Sequence, residues 1–248
     1  SASDLLFGYE ISKSDLGILA SAMLLAMMPG SIGAKVVTQV FSPKIAEIKR
    51  SGRNLVAAFD QIQAFAFILG TATMILLQGG STILPLLLGG KWSAAGPYLV
   101  AFSLFSALRI SGASTRSAIL ALGRSKIIMY SNLWTLVGLA CSALVVYNQR
   151  PLIEIAYCMA LGEILATLSR CVMLKRIVPE IRVSTLVVLP TMALASAFGI
   201  GIAQTGITEG CSMMMSIVVI LVSVVLGTAA ISLIWPSVRA MIAGRTRS

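Results

Sequence analysis

The sequence predicts an all-α fold, that of a polytopic helical membrane protein. Hydrophobic residues make up 57% of the 248 residues, charged residues make up 11%, and the mean hydropathy is +0.93. A soluble domain carries roughly 25% charged residues. Apolar runs long enough to cross a hydrocarbon core of about 30 Å recur along the chain. The net charge of +10 comes mostly from basic residues between these runs, where they orient helices, so no nucleic acid partner is expected.

The apolar runs predict one partial helix and seven complete spans. Residues 1–11 are the end of a helix whose beginning is missing, which indicates a fragment without its N-terminal half. Each later run has the length of a membrane span, and the connectors between the runs are short. The predicted spans are 16–41, 55–77, 98–122, 127–147, 152–174, 184–204 and 211–235.

Two regions interrupt the first spans. Pro29 favours a kink at Pro29-Gly30, because a proline removes one backbone hydrogen bond. Residues 43–53 alternate apolar and basic side chains and are expected to form an amphipathic connector on the anionic cytoplasmic surface.

A second interruption follows residue 77. Gly79, Gly80 and Pro85 break the apolar pattern, so residues 81–88 are interpreted as an interfacial segment. This segment leads to Trp92, whose amphipathic ring suits the headgroup region.

The basic residues also predict an orientation. If the partial first helix runs outward, thirteen of the nineteen lysines and arginines lie on the inside, and the C-terminus is cytoplasmic. These thirteen are Lys44, Lys49, Arg50, Arg53, Arg124, Lys126, Arg170, Lys175, Arg176, Arg182, Arg239, Arg245 and Arg247.

The span 98–122 contains two arginines. Arg109 and Arg116 lie seven residues apart, so they project from nearly the same helix face, with Ser106 beside them. Arg109 is close to the middle of the span, where a guanidinium costs about 2.5 to 3.5 kcal/mol on insertion scales. We therefore expect Arg109 to face protein or a water-filled cavity.

Three further charges allow two interpretations each. Glu163 lies at the depth of Arg109 and could form a buried ion pair with it. Alternatively, Arg109, Arg116 and Lys35 form a cationic cavity for a phosphate-bearing substrate, and Glu163 couples transport to an ion. Lys35 is close enough to its helix end to extend to the membrane surface instead. Asp60 is most simply a solvated residue at the entrance of its span, and ion coupling is the alternative.

No enzyme signature is present in the sequence. It has no histidine, no GxxxxGK[ST] loop and no nucleophile–base pattern, so neither a cofactor nor a metal site is expected. The four cysteines lie in apolar runs without CxxC spacing, which is typical of packing residues. A transporter fits these features better than an enzyme does.

Four short motifs, in order, resemble the C-terminal half of bacterial Wzx-like oligosaccharide-lipid flippases. These flippases are polysaccharide transporters of the multidrug/oligosaccharidyl-lipid/polysaccharide exporter superfamily. The motifs are SDLLFG at 3–8 with DLG at 15–17, FSPK at 41–44, LLGGKWSAA at 87–95 and AILALGR at 118–124.

This resemblance implies two six-helix lobes, often followed by two extra helices. Residues 1–178 would be the second lobe, and residues 179–248 would be the extra pair with a basic cytoplasmic tail. The implied activity is flipping of undecaprenyl-diphosphate-linked oligosaccharides for O-antigen, capsule or exopolysaccharide synthesis. The implied partners are this lipid-linked substrate, membrane lipids, the missing N-terminal lobe, a polysaccharide polymerase and a chain-length regulator.

Two other functions stay open at the level of the sequence. The first is a drug exporter of the same superfamily, although its cationic substrates favour acidic cavities, and the spans here carry more basic than acidic residues. The second is a membrane scaffold of a polysaccharide-synthesis complex that performs no transport itself.

Overall fold

The computed structural model describes residues 13–52, 55–148 and 150–181. These residues form five long helices and one short 3₁₀ helix, with no strand among them. All five long helices are long and apolar enough to cross a membrane, so the all-α, polytopic prediction is confirmed. The helices are α1 (Lys13–Arg50), α2 (Leu55–Leu88), the 3₁₀ helix (Gly90–Ala95), α3 (Gly96–Ala121), α4 (Ser125–Tyr147) and α5 (Ile153–Ile177). The predicted helix 1–11 and spans 184–204 and 211–235 lie outside the described residues.

Helix α3 is the centre of the described bundle. It packs against α1, α2 and α5, and twenty of its 26 residues are buried. Helix α4 is peripheral: it packs mainly on α5, touches α3 only slightly, and buries five of its 23 residues. This arrangement leaves a gap between α3 and α4, with α5 behind it.

Helix α1 is longer than the sequence predicts. It continues through Pro29 and Pro43 to Arg50, so the predicted separate connector 43–53 is wrong. The extension is held by Ile45, which is 1% exposed and packs in a core with buried side chains of α2 and α3. Burial of this isoleucine offsets the backbone hydrogen bond that Pro43 cannot donate.

Helix α2 also continues beyond its predicted end. The expected break at Gly79-Gly80 and Pro85 is wrong, because the helix reaches Leu88. A membrane requires backbone groups to be satisfied within the chain, which keeps a helix intact past glycine and proline. The start of α3 also approaches α2 closely, since a Cβ at Gly96 would lie 3.3 Å from the carbonyl oxygen of Ser81.

Small residues set the closest helix crossings. Gly30 of α1 lies against Ser106 of α3, whose hydroxyl donates a hydrogen bond to the carbonyl of Ala26. Gly138 of α4 lies against Gly162 of α5, and a Cβ on either residue would lie 3.0 Å from the Cα of the other. Such contacts let transmembrane helices pack by van der Waals attraction at short range.

Glycines with positive φ end two helices, each within a motif named above. Gly123 has φ +73° after α3, and the amide of Arg124 donates to the carbonyl of Ile119, as in a Schellman cap. Gly89 has φ +92° between α2 and the 3₁₀ helix. An L-residue with a side chain rarely adopts these angles, so glycine is favoured at both positions.

Candidate functional site

A cavity of about 410 Å³ lies in the gap between α3 and α4. Helix α5 closes its far side, and α1 contributes one side chain. The cavity is lined by Met27, Phe105, Arg109, Arg116, Ile128, Asn132, Thr135, Leu139, Met159 and Glu163. Its wall therefore combines apolar side chains with two guanidinium groups, one carboxylate and two neutral polar groups.

The two arginines of α3 line this cavity and keep donors available. Within the described residues Arg109 forms no ion pair; its guanidinium carbon lies 5.9 Å from the centre of the Phe105 ring, a cation–π contact that uses no N–H donor. Arg116 is half-buried, and its Nε is buried without a hydrogen-bond partner. A buried N–H without an acceptor is costly, so an anion placed there would be stabilised.

Glu163 lines the same cavity but does not pair with Arg109. Its Oε1 accepts a hydrogen bond of 2.8 Å from Nη2 of Arg170, seven residues later on α5. Of the two interpretations of Glu163, the structure does not form the ion pair with Arg109, because a cation on the same helix face, two turns away, is already bonded to the carboxylate. Glu163 is 4% exposed, so this ion pair is buried.

Arg170 is the charged residue that the sequence interpretation placed incorrectly. The sequence counts it among the inside basic residues, near the inner end of the predicted span 152–174, whereas in the structure its side chain is fully buried within α5. Its Nε donates to the carbonyl of Ala166 at 2.9 Å, and its Nη2 also donates to the Thr167 hydroxyl at 3.2 Å. The spacing of Glu163 and Arg170, seven residues apart on one helix face, is the signal that could have identified the pair.

Gly112 leaves space for Thr167, which accepts a hydrogen bond from Arg170. A Cβ at position 112 would lie 2.8 Å from the Thr167 hydroxyl oxygen and 3.7 Å from Nη1 of Arg170. Gly112 is three residues after Arg109 and four before Arg116, so it shares their helix face. Arg170 of the buried ion pair therefore lies near the face of α3 that carries the two cavity arginines.

The site carries a positive charge overall. Three guanidinium groups and one carboxylate are present in the cavity or next to it, and the charge of Arg116 interacts with those of Arg170, Glu163 and Arg109. Low-dielectric surroundings strengthen such interactions. The arrangement can bind a compact, multiply charged anion, but it offers no nucleophile–base pair. Among the described residues no group of three or more His, Cys, Asp or Glu side chains could hold a metal ion.

Two of the predicted site residues are not at the cavity. Lys35 is exposed on α1, and Asp60 is half-buried near the start of α2; neither lines the cavity. The structure thus brings together Arg109, Arg116 and Glu163, and it adds Arg170.

Comparison with known families gives one match. A family model described as "Polysaccharide biosynthesis protein" matches residues 1–97, a segment that ends before the first cavity arginine. No curated protein and no solved structure matches the chain. Over this segment the multi-pass membrane protein is similar to polysaccharide biosynthesis proteins.

Proposed function

We propose that the protein flips undecaprenyl-diphosphate-linked oligosaccharides across the bacterial inner membrane for the synthesis of a surface polysaccharide. The observation that carries this proposal is the pairing of Arg109 and Arg116 in one cavity within the membrane-spanning bundle. The family match over residues 1–97 supports the polysaccharide context. The protein acts as a transporter rather than as an enzyme.

The chemistry of the two arginines suits a diphosphate. Guanidinium groups bind phosphate oxygens with two parallel N–H donors, and they keep their charge in apolar surroundings. Seven residues of helix place the two Cα atoms about 10 Å apart, a distance that two flexible side chains can close around one diphosphate. The Phe105 ring holds the first guanidinium without consuming its donors.

The size of the cavity suits part of a lipid-linked substrate. A volume of about 410 Å³ lies at the lower end of the range for small-molecule sites. It accommodates a diphosphate and the adjoining sugar, while a polyprenyl chain stays in the surrounding lipid. The exposed apolar face of α4, which includes Leu133, Leu136 and Leu144, can contact that chain.

Charge distinguishes this function from export of cationic drugs. Three guanidinium groups against one carboxylate repel a cation, and the carboxylate is already paired with Arg170. A membrane scaffold would have no need for two arginines that face a cavity, since a buried charge without a counterion is expensive. The cavity therefore favours flipping over both alternatives.

The proposal also includes the place of this chain in a complete transporter, its partners and its orientation. The described bundle acts as part of the second lobe of a two-lobe transporter, with residues 1–178 in that lobe and residues 179–248 as the extra helices. A first lobe supplies the opposite wall of the substrate path, and a polysaccharide polymerase and a chain-length regulator receive the flipped units. The C-terminus is cytoplasmic, in agreement with the distribution of basic residues.

Polymer export in cells tests the proposal. Arg109→Gln in the full-length protein is expected to reduce surface polymer at equal expression, because it removes a charged ligand of the diphosphate. The matched control is Arg124→Gln, which removes an exposed arginine at the turn after α3 and should leave export unchanged. Unchanged export with Arg109→Gln would show that the cavity does not bind the substrate.

A further inference from the structure

We propose that Arg170 is a positioning residue: it holds the Glu163 carboxylate away from Arg109 and Arg116, so that both cavity guanidiniums stay available to the substrate diphosphate. This inference rests on the proposed function of the cavity. It assigns a role to the buried ion pair of α5, in which Glu163 lines the cavity and Arg170 does not.

The Glu163 carboxylate can compete with the substrate diphosphate for the two cavity arginines. Glu163 lines the same cavity as Arg109 and Arg116 and is almost completely buried. A buried carboxylate needs a cation or several hydrogen-bond donors. Its negative charge, if paired with either cavity arginine, would occupy the donors that a diphosphate needs.

Arg170 prevents this pairing because its guanidinium is held in place. Its Nε donates to the Ala166 carbonyl at 2.9 Å, and its Nη2 donates to the Thr167 hydroxyl at 3.2 Å and to Glu163 at 2.8 Å. All of these partners lie on the same helix as Arg170, so the ion pair is largely set by α5 itself. The glycine at position 112 leaves space on the facing helix for Thr167, one of these partners.

Charge balance gives the consequence of losing Arg170. With Arg170 present, the ion pair is neutral and the cavity keeps two positive guanidinium groups. Without it, the buried carboxylate has Arg109 and Arg116 as the remaining cations of its own cavity and pairs with one of them. The site then has one guanidinium left for the diphosphate, and its affinity falls.

The test measures binding of undecaprenyl diphosphate to the purified full-length protein in detergent. Arg170→Met is expected to weaken binding about tenfold, equivalent to about 1.4 kcal/mol. Glu163→Gln is expected to bind at least as tightly as the unaltered protein. The double variant Arg170→Met/Glu163→Gln, which lacks the competitor, is expected to recover wild-type affinity to within about threefold. Arg170→Lys, which retains a cation, should also stay within about threefold.

If the role of Arg170 is purely structural, its replacement impairs folding and does not weaken binding by the folded protein. The melting temperature and size-exclusion profile of each variant separate loss of folding from loss of binding. Wild-type affinity in a folded Arg170→Met variant overturns the inference, and so does a folded double variant that binds weakly. Where Arg170→Met does not fold, the double variant and Arg170→Lys still test the inference, because neither leaves the carboxylate as an unpaired charge and weak binding by either folded variant overturns it.

The same measurements distinguish failure of this inference from failure of the proposed function. If the unaltered protein does not bind undecaprenyl diphosphate, or if Arg109→Gln binds it equally well, the cavity is not the substrate site. If Arg109→Gln abolishes binding and folded Arg170→Met does not weaken it, the cavity assignment holds and the positioning role of Arg170 is wrong.

Discussion

Replacement of Gly138 by alanine is expected to disturb the contact that holds α4 in the bundle. A Cβ at this position would lie 2.6 Å from the carbonyl oxygen of Cys158 and 3.0 Å from the Cα of Gly162. Both neighbours are backbone atoms of α5, so no side chain can rotate to make room. Because α4 packs mainly on α5, relief of the overlap requires the two helices to move apart.

The size of the effect follows from this overlap. Close carbon–oxygen contacts between helices begin at about 3.3 Å, so the helices must separate by about 0.7 Å. Overpacking of this kind costs about 1 to 3 kcal/mol. Alanine also gains helix propensity over glycine, by up to about 1 kcal/mol. The matched control is Gly17→Ala in α1, where a Cβ meets nothing within 4 Å and only the propensity gain applies.

Unfolding of the purified protein in mixed micelles with increasing denaturing detergent provides the assay. The difference in the free energy of unfolding between Gly138→Ala and Gly17→Ala isolates the overlap and is expected to be about 1 to 3 kcal/mol. Equal stabilities of the two variants would refute the account of the α4–α5 contact. The separation would also displace the wall of the cavity that Asn132 and Thr135 provide.

Three further predictions address packing, cavity access and orientation. Gly30→Val should destabilise the α1–α3 crossing by about 1 to 3 kcal/mol relative to Gly17→Val, because its Cβ would lie 2.9 Å from Cβ of Ser106; equal unfolding free energies would contradict this. In a protein without native cysteines, Asn132→Cys should react with a water-soluble maleimide in liposomes faster than Leu133→Cys does. The reason is that Asn132 lines the cavity, whereas Leu133, 56% exposed on the outer face of α4, faces lipid in the membrane. Similar reaction rates would contradict a water-filled cavity. A reporter inserted at residues 51–52 should lie in the cytoplasm and one at residue 148 outside, whereas the reverse result would invert the predicted topology.

The sequence was sufficient to predict most of the described fold. Five apolar runs of membrane length correspond to the five long helices, because span length depends on hydrocarbon thickness and on little else. The errors occurred where proline and glycine were interpreted with rules for soluble proteins. Pro85 lies inside α2, since the membrane penalises a broken backbone more strongly than water does. Pro43 lies inside α1, whose extension is held by the buried Ile45.

The candidate site was predictable only in part. Arg109 and Arg116 were identified because a charge within an apolar run is expensive and has to be explained by a cavity or a partner. The partner of Glu163 was not identified, since equal depth in the membrane does not determine which side chains meet. Depth alone favoured Arg109, whereas the hydrogen bond to Arg170 depends on the rotation of α5 and on the space at Gly112.

The position of Lys35 in the sequence likewise did not determine which way its side chain faces. Its position within an apolar run resembled that of the cavity arginines, but it lies on an exposed face of α1. The rotation of a helix about its axis depends on contacts such as Gly30 with Ser106, which involve residues far apart in the sequence. A single sequence does not reveal such contacts.

Transbilayer movement of a lipid-linked substrate in reconstituted vesicles is the measurement that bears most directly on the cavity. Full-length protein would be reconstituted with a fluorescent undecaprenyl-diphosphate sugar, and the fraction accessible to an impermeant quencher would be followed over time. We expect the protein to accelerate equilibration of the two leaflets and the double variant Arg109→Gln/Arg116→Gln to lose this acceleration. Equilibration no faster than in protein-free vesicles, or equally fast with both arginines replaced, would contradict a flippase that uses this cavity.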